Sequence, residues 1–188
     1  MDRKEFNEYI VCDVYRNSSN IMEKIYNKYI NPVTNAAYMF RKMQYMNSHK
    51  NIYCKVRTMF LQKRLANKYG ILASPNAEIG RYLRFVHPSS IVIGAHVTAG
   101  DHLSLYQNTT IGGIHVGDVD KGNQPTIGNN VTLFANSLIL GKINIGNDVI
   151  VGANSLLMSS APDGAVCVGS PAKNISKNKD IQRGGTII

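Results

Sequence analysis

The sequence predicts a mainly β protein, a parallel β-solenoid preceded by a helical region, and three observations carry that reading. The first is a six-residue beat: Ile127, Leu133, Ile139, Ile145, Val151 and Leu157 stand six apart, and Gly128, Gly146 and Gly152 directly follow three of them. The same beat runs upstream through Ile93, Ala99, Leu105 and Ile111, with Gly94, Gly100 and Gly112 behind three of the four. A helix repeats at about 3.6 residues and a strand at about 2, so neither alone makes a period of six. One inward apolar residue at every sixth position, with a small residue beside it for a tight corner, describes a chain turning through flat sides of about six residues. The second observation is that positions four past each anchor, Val131, Ser137, Ile143, Val149 and Ser155, are small or aliphatic. They supply the second inward side chain of a narrow prism. A β-sandwich is the alternative, but its strands return at about 8 to 12 residues with no fixed glycine phase.

The third observation is a change of composition near residue 78. Residues 1–78 hold 13 Lys and Arg against 6 Asp and Glu, whereas residues 79–188 hold 8 against 6. Eight of the ten tyrosines lie in the first part, together with a single glycine, Gly70, which is helical composition. Residues 39–46 and 56–65 place apolar residues three and four apart with cations between them, the pattern of amphipathic helices. Pro32 breaks or starts a helix, and Gly70 caps one that ends at Asn67-Lys68-Tyr69. The expected organisation is a helical region over 1–70, a β-solenoid over 71–175 and a tail over 176–188.

At 188 residues and 44% hydrophobic content the chain can bury a substantial core. Met1 to Glu5 is followed by no apolar h-region, and no stretch nears the roughly 18 to 20 apolar residues of a membrane span, which points to the cytoplasm. Cys12, Cys54 and Cys167 form neither a CxxC pair nor a disulfide framework and read as buried or idle thiols. The basic, tyrosine-rich region fits nucleic acid, an anionic membrane surface, an acidic glycan, a phosphorylated lipid or simply a solvated face. No nucleic-acid motif accompanies it, so nucleic acid is not expected as a partner.

The beat is interrupted twice. Between Ile79-Gly80 and Ile93-Gly94 there are two residues more than a double repeat, around Phe85-Val86-His87-Pro88. Between Ile111-Gly112 and Ile127-Gly128 the spacing reads as four more than a double repeat, and residues 113–126 form a protruding loop. Regular coils are scaffolding, so such excursions are where ligand contacts are built.

Ile79-Gly80-Arg81, Val86-His87, Ile91-Val92-Ile93-Gly94, Gln107, Thr110-Ile111-Gly112-Gly113, Pro125-Thr126-Ile127-Gly128 and Gly169-Ser170-Pro171-Ala172-Lys173 together resemble the hexapeptide-repeat acyltransferases. Over residues 71–175 the order is similar to the serine acetyltransferase branch and to relatives that O-acetylate bacterial surface polysaccharides. In the helical part, Asp13-Val14-Tyr15-Arg16, Pro32 and Phe40-Arg41-Lys42 look more like the polysaccharide branch. The resemblance implies a left-handed parallel β-helix, a homotrimer, and acetyl-CoA in a groove between neighbouring subunits.

Such a site must remove a proton from a hydroxyl and stabilise an oxyanion, because the thioester is already activated. His87 falls at the family's catalytic histidine, and an imidazole suits a general base near neutral pH. A backbone amide near Gly113 is the expected oxyanion donor. By position in the family pattern, Gly112, Gly113, Ala135, Gly141 and Ala153 line the pantetheine arm and Lys173 lies near the nucleotide end. His115, Tyr106, Asn123 and Gln124 are candidates for acceptor contact. His96 and His102 fall in regular coils and read as packing or surface residues. The histidines lack close ligand spacing and no cysteine joins them, so no metal is expected.

Two departures bear on the acceptor. Serine acetyltransferases carry an aspartate fifteen residues before the catalytic histidine, and Leu72 stands there; they carry a histidine before the proline that ends the loop, and Gln124 stands there. Both changes remove charged or titrating groups. The expectation is therefore an acetyl-CoA-dependent O-acetyltransferase acting on a sugar hydroxyl of a bacterial surface polysaccharide or its precursor. The basic helical part would attract an acidic glycan or a lipid-linked acceptor at the inner face of the membrane. Serine O-acetyltransferase and a non-catalytic β-helix scaffold are the alternatives.

Overall fold

The computed structural model describes residues 1–16 and 18–176, so all but the first residue of the expected tail lies outside the described residues. Four helices come first, and each begins at a side-chain cap. Asp2 opens α1 (Arg3–Ile10), accepting the Glu5 N–H at 2.8 Å, and this helix runs on into one π-helical stretch over Val11–Tyr15. Asn20 caps α2 (Ile21–Tyr29), Asn31 caps α3 (Pro32–Asn47) with Pro32 at its first turn, and Asn51 caps α4 (Ile52–Tyr69). Gly70 ends α4 at φ +65°, the left-handed conformation glycine adopts without cost.

The strands are two to four residues long: β1 (Leu72–Ala73), β2 (Glu78–Ile79), β3 (Arg84–Phe85), β4 (Val92–Ile93), β5 (Thr98–Ala99), β6 (Ser104–Leu105), β7 (Thr110–Gly112), β8 (Thr126–Ile127), β9 (Thr132–Leu133), β10 (Leu138–Leu140), β11 (Asn144–Ile145), β12 (Ile150–Val151), β13 (Leu156–Leu157), β14 (Val166–Gly169) and β15 (Ala172–Asn174). They stack into three parallel sheets, β1-β4-β7-β10-β13, β2-β5-β8-β11 and β3-β6-β9-β12-β14, with β15 closing the last as an antiparallel edge. We call these the β1, β2 and β3 faces of a three-sided prism. The chain visits them in turn, so every sixth residue arrives inside on the next face. Ile93, Leu105, Ile111, Leu133, Ile139, Val151 and Leu157 are buried, and the second inward row of Val131, Ser137, Ile143, Val149 and Ser155 is buried as well.

Corner residues recur in the left-handed region, at His96, His102, Asn108, Asn130, Asn136, Asp148 and Asn154. Asparagine tolerates that conformation better than most residues. The asparagines also knit successive coils, Asn108 donating to Asn136 at 2.7 Å and Asn136 to Asn154 at 2.9 Å. At Gly128 an added Cβ would stand 2.7 Å from the Gly146 carbonyl carbon, so the coils stack too closely there for any side chain.

Regular coils repeat after 18 residues, as between Asn129 and Asn147. The coil that contains His87 takes 20, as between Arg81 and Asp101. The loop coil takes 28, as between Asp101 and Asn129. The protruding loop is longer than the spacing suggests: β7 and β8 lie on adjacent faces, so Ile111 to Ile127 is one side of the prism carrying a ten-residue insertion, not two sides with four extra residues. Spacing alone could not separate a long single step from two steps and a short excess.

The helical part closes the first coil. Phe40 of α3 meets Phe85 edge-on at 6.2 Å, and Phe40 and Met43 are fully buried. The open end of a β-helix leaves strand carbonyls without a next coil to bond them. Arg41 and Gln44 supply the missing donors. The Arg41 guanidinium donates to Ile79 O at 2.8 Å, to Gly80 O and to Gln44 Oε1, and Gln44 Nε2 donates to Ala77 O at 2.6 Å. Arg41 Nε also donates to Asp13 Oδ2 at 2.7 Å, with both side chains fully buried, and its guanidinium lies 4.1 Å over the Tyr9 ring. Asp13 Oδ1 accepts the Leu83 N–H in turn. Burial pushes the Asp13 carboxyl above its ordinary pKa, against the pull of the Arg41 guanidinium. No helix among the described residues is long and apolar enough to cross a membrane.

Candidate functional site

His87 stands exposed where the chain turns from the β3 face onto the β1 face, in the coil that carries two extra residues. Its ring meets Tyr106 of the next coil edge-on at 5.8 Å, and Tyr106 in turn lies 4.8 Å from Phe134 of the coil beyond. Tyr106 and Phe134 each follow an inward anchor, the place glycine takes after Ile127, Ile145 and Val151. That break in the glycine phase was the signal in the sequence for Phe134, which motif reasoning passed over. Ala135 follows on the same corner, and the Asn154 N–H beside Ala153 bonds Ala135 O at 2.9 Å, so the column continues from imidazole through two aromatic rings to two alanines. Small residues at its far end leave the backbone open to a narrow ligand arm.

The opposite corner, where the chain leaves the β1 face, gathers the remaining candidates. Gly112 ends β7, and Gly113 begins the insertion. The loop is organised by Asp118, a residue the sequence reading did not single out. Its Oδ2 accepts the backbone N–H of Ile114 at 2.8 Å and of His115 at 2.7 Å, and its Oδ1 accepts Asn123 Nδ2 at 3.0 Å. The Asn123 amide, the His115 and Ile114 N–H groups and the His115 charge together hold the Asp118 carboxyl down to about 2. The Asn123 side chain is thereby engaged inside the loop. Gln124 is buried, with its Oε1 near Gly94 and Gly112 and its Nε2 near Gly113, so its amide packs beneath the loop and is not presented to solvent. Its Oε1 has no hydrogen-bond partner among the described residues. Gly141, at φ +91°, lets Ile114 lie against the coil, since a Cβ there would stand 2.9 Å from Ile114 Cδ1. His115 is exposed at the loop root, and Lys173 is exposed on β15.

The predicted site residues are thus divided. His87, Tyr106, Ala135 and Ala153 share one edge of the β1 face, while Gly112, Gly113, His115, Asn123, Gln124 and Gly141 share the other. At about 3.3 Å per residue the intervening strand holds the edges roughly 10 to 15 Å apart, beyond any hydrogen bond. One chain does not bring the His87 imidazole and the Gly113 amide together. Leu72 lies on the β1 face paired with Val92, its side chain pointing outward. Among the described residues no hydrogen bond reaches the His87 ring, and its aromatic neighbour is Tyr106. No group of histidines, cysteines and carboxylates able to hold a metal occurs among the described residues.

Residues 124–158 match the family model described as bacterial transferase hexapeptide (six repeats). The serine acetyltransferase of Helicobacter pylori is 40% identical over 110 residues, which are 58% of this chain and 63% of that protein. The chloroplastic serine acetyltransferase 1 of Arabidopsis thaliana is 37% identical over 121 residues, 64% of this chain and 38% of that protein. The chain therefore spans less than two thirds of the length of these relatives. Among solved structures, the Neisseria gonorrhoeae serine acetyltransferase superposes with a TM-score of 0.77 at 26% identity, over 92% of this chain and 67% of that one. The same enzyme in complex with serine gives a TM-score of 0.77, also at 26% identity, over 92% and 69%. These relatives overturn the sugar-acceptor expectation, which had rested on Leu72, on Gln124 and on short matches in the helical part. Single departures at two positions weighed less than the continuous similarity around them. The coil is a left-handed parallel β-helix with a helical region at its N-terminal end, and the hexapeptide-repeat match lies within it over residues 124–158.

Proposed function

We propose that the chain transfers an acetyl group from acetyl-CoA to the hydroxyl of L-serine. The observation that carries the reading is His87, exposed on the corner that two extra residues widen and followed along that edge by two aromatic rings and two alanines. The similarity to serine acetyltransferases, one of them solved with serine, supplies the substrate class.

His87 would take the proton of the serine hydroxyl as that oxygen attacks the thioester carbonyl carbon. The oxyanion would be held by a backbone N–H near Gly113. As the intermediate collapses, the carbon–sulfur bond breaks and the imidazolium returns its proton to the leaving thiolate, giving O-acetylserine and CoA-SH. No group on the protein needs to be acylated. The Tyr106 ring, packed edge-on against the imidazole at 5.8 Å, would help position it, a role carried by a carboxylate in the family pattern where Leu72 stands here.

Because the imidazole and the Gly113 amide lie on opposite edges of the β1 face, the site is completed between copies of the chain, in keeping with a homotrimer. The outward side chains of that face support this arrangement. Leu72, Val92, Thr110, Leu138 and Leu156 form a ladder of which Leu72 is 56% and Leu138 38% exposed. The ladder runs into a groove of about 580 Å³ where Leu72 meets Val56, Met59 and Phe60 of α4, the last two 69% and 67% exposed. An apolar face of this extent is covered in an assembled protein.

The test follows thiol release from acetyl-CoA with L-serine, with L-threonine and with no acceptor, using wild-type and His87→Ala protein, and identifies the product by mass spectrometry. Serine-dependent release that disappears in His87→Ala is the expected result. Release that is independent of serine, or unchanged in the variant, removes the proposal.

A further inference from the structure

The third edge of the prism, between the β2 and β3 faces, carries a cluster that the acetyl-transfer site does not use. A cavity of about 330 Å³ opens there, lined by Arg16, Tyr82, Arg84, His102, Ser104 and Asn130. Its floor is made by Arg84 and Ser104, outward residues paired in register on β3 and β6. One wall is a stack of corner residues: the Tyr82 and His102 rings lie parallel at 4.3 Å and 8°, and Asn130 stands on the following coil. The other wall is Arg16, held at the end of the π-helical stretch with φ +43° and its Nε donating to Asp13 O at 3.4 Å.

Two guanidiniums of like charge thus face one small cavity. Among the described residues neither lies within ion-pair distance of a carboxylate. The acids nearest along the chain and the coil are already engaged: Asp13 with Arg41 and Leu83, Asp101 with the Arg81 N–H, and Asp148 with Asn130 at 2.6 Å. Like charges brought together cost free energy unless an anion offsets them. Consistently, burial and then the Arg84 charge lower the Arg16 pKa, against a weaker opposing pull from Asp13. The donor set is of the kind that recognises phosphate: two planar forks, a hydroxyl and an imidazole. The cavity exceeds a bare phosphate, and the exposed ring of the Tyr82 and His102 stack offers a flat apolar surface for an organic remainder.

From this arrangement we infer that the edge formed by Arg16, Arg84 and the Tyr82–His102 stack is a binding site for a small phosphate monoester, separate from the acetyl-transfer site. The separation follows from topology, since His87 and the Gly113 loop flank the β1 face and this cluster lies at the corner opposite it.

Isothermal titration calorimetry tests the inference with glycerol phosphate, with inorganic phosphate and with chloride at matched ionic strength. The expected result is saturable binding of the ester with no comparable heat from chloride. Arg16→Gln and Arg84→Gln should each weaken it about tenfold or more, the loss of one charge-assisted contact. Binding of inorganic phosphate as tightly as the ester assigns the site to the free ion. Where Arg84→Gln melts early, Arg84→Lys keeps the charge and stem but loses the fork, and severalfold weakening is expected. Absence of saturable binding, equal heats from chloride, or undiminished binding in the Arg84 and Arg16 variants overturns the inference. Because the readout is binding rather than turnover, the outcome is independent of whether the chain acetylates serine.

Discussion

Replacing Arg41 by Met tests the account of how the helical part closes the coil. The side chain is fully buried and satisfies four groups: the Asp13 carboxylate, Ile79 O, Gly80 O and Gln44 Oε1. Methionine fills much of the volume and donates nothing. Breaking a buried ion pair by removing one partner costs about 3 to 5 kcal/mol, because the surviving charge stays desolvated. The orphaned Ile79 and Gly80 carbonyls and the Gln44 Oε1 push the total toward the upper end of that range. Against a whole-protein stability of roughly 5 to 15 kcal/mol, the variant should melt on the order of 10 °C lower at fixed protomer concentration. Asp13→Leu strands the guanidinium and the Leu83 N–H and should cost a similar amount. The double variant removes both charges, so its cost should fall short of the sum of the two singles by about 2 to 3 kcal/mol. Denaturant unfolding of the four proteins measures the cycle. Single-variant losses below about 1 kcal/mol, or additive losses, would show that the pair does not cap the coil as described.

Acid should loosen the protruding loop. The Asp118 carboxyl is held at about 2, below its unfolded value, so its contribution is present above pH ~4 and is lost as pH falls through about 2. Hydrogen exchange at the Ile114 and His115 amides, corrected for intrinsic rate, should lose protection over that window, and Asp118→Asn should weaken it at neutral pH. Phe134→Ala removes the ring behind Tyr106 and should lower kcat by roughly tenfold through a looser imidazole, while a purely structural role would lower stability without moving kcat. Leu72→Glu places a charge on the apolar β1 face; sedimentation should show smaller species than wild type, and an unchanged size would separate that face from assembly.

The regular part of the fold was legible because a β-helix writes its geometry into the sequence at a fixed period. Each anchor from Ile93 to Leu157 was readable, as were the helix signals at Pro32 and Gly70, since those residues have few other uses. The loop was legible as an interruption but not in its size, because a period of six cannot tell a side with an insertion from two sides. Asp118 was hidden for a different reason: an aspartate that bonds backbone N–H groups three and four residues back has the same local sequence as an ordinary loop acid. The Asp13–Arg41 pair joins residues 28 apart, and nothing in either segment marks them as partners. The acceptor was misread because Leu72 and Gln124 were weighed as losses of charge at a site. The structure shows what each does instead, Leu72 as an outward rung of the apolar ladder and Gln124 as packing beneath the loop.

The division of the site between two edges leads to a test that neither edge alone can mimic. His87→Ala removes the proposed base on one edge. Gly113→Val disrupts the other, because a Cβ at Gly113 would stand 2.6 Å from Asp118 Cβ and force the loop outward. Each variant alone should be inactive as a homo-oligomer. When the two are unfolded together in equal amounts and reassembled, a shared site needs an intact His87 edge from one copy and an intact loop edge from its neighbour. With random mixing each requirement is met with a probability of one half, so about one quarter of the sites should be restored. A site built within one chain would gain nothing from mixing, since every chain carries one lesion. Recovery near one quarter therefore distinguishes completion between copies from a nearby loop that merely stabilises the fold. Recovery near zero, with assembly of mixed oligomers confirmed by native mass spectrometry, would place the imidazole and its oxyanion donor in the same chain and require the β1 face to bend far more than its strand pairing allows.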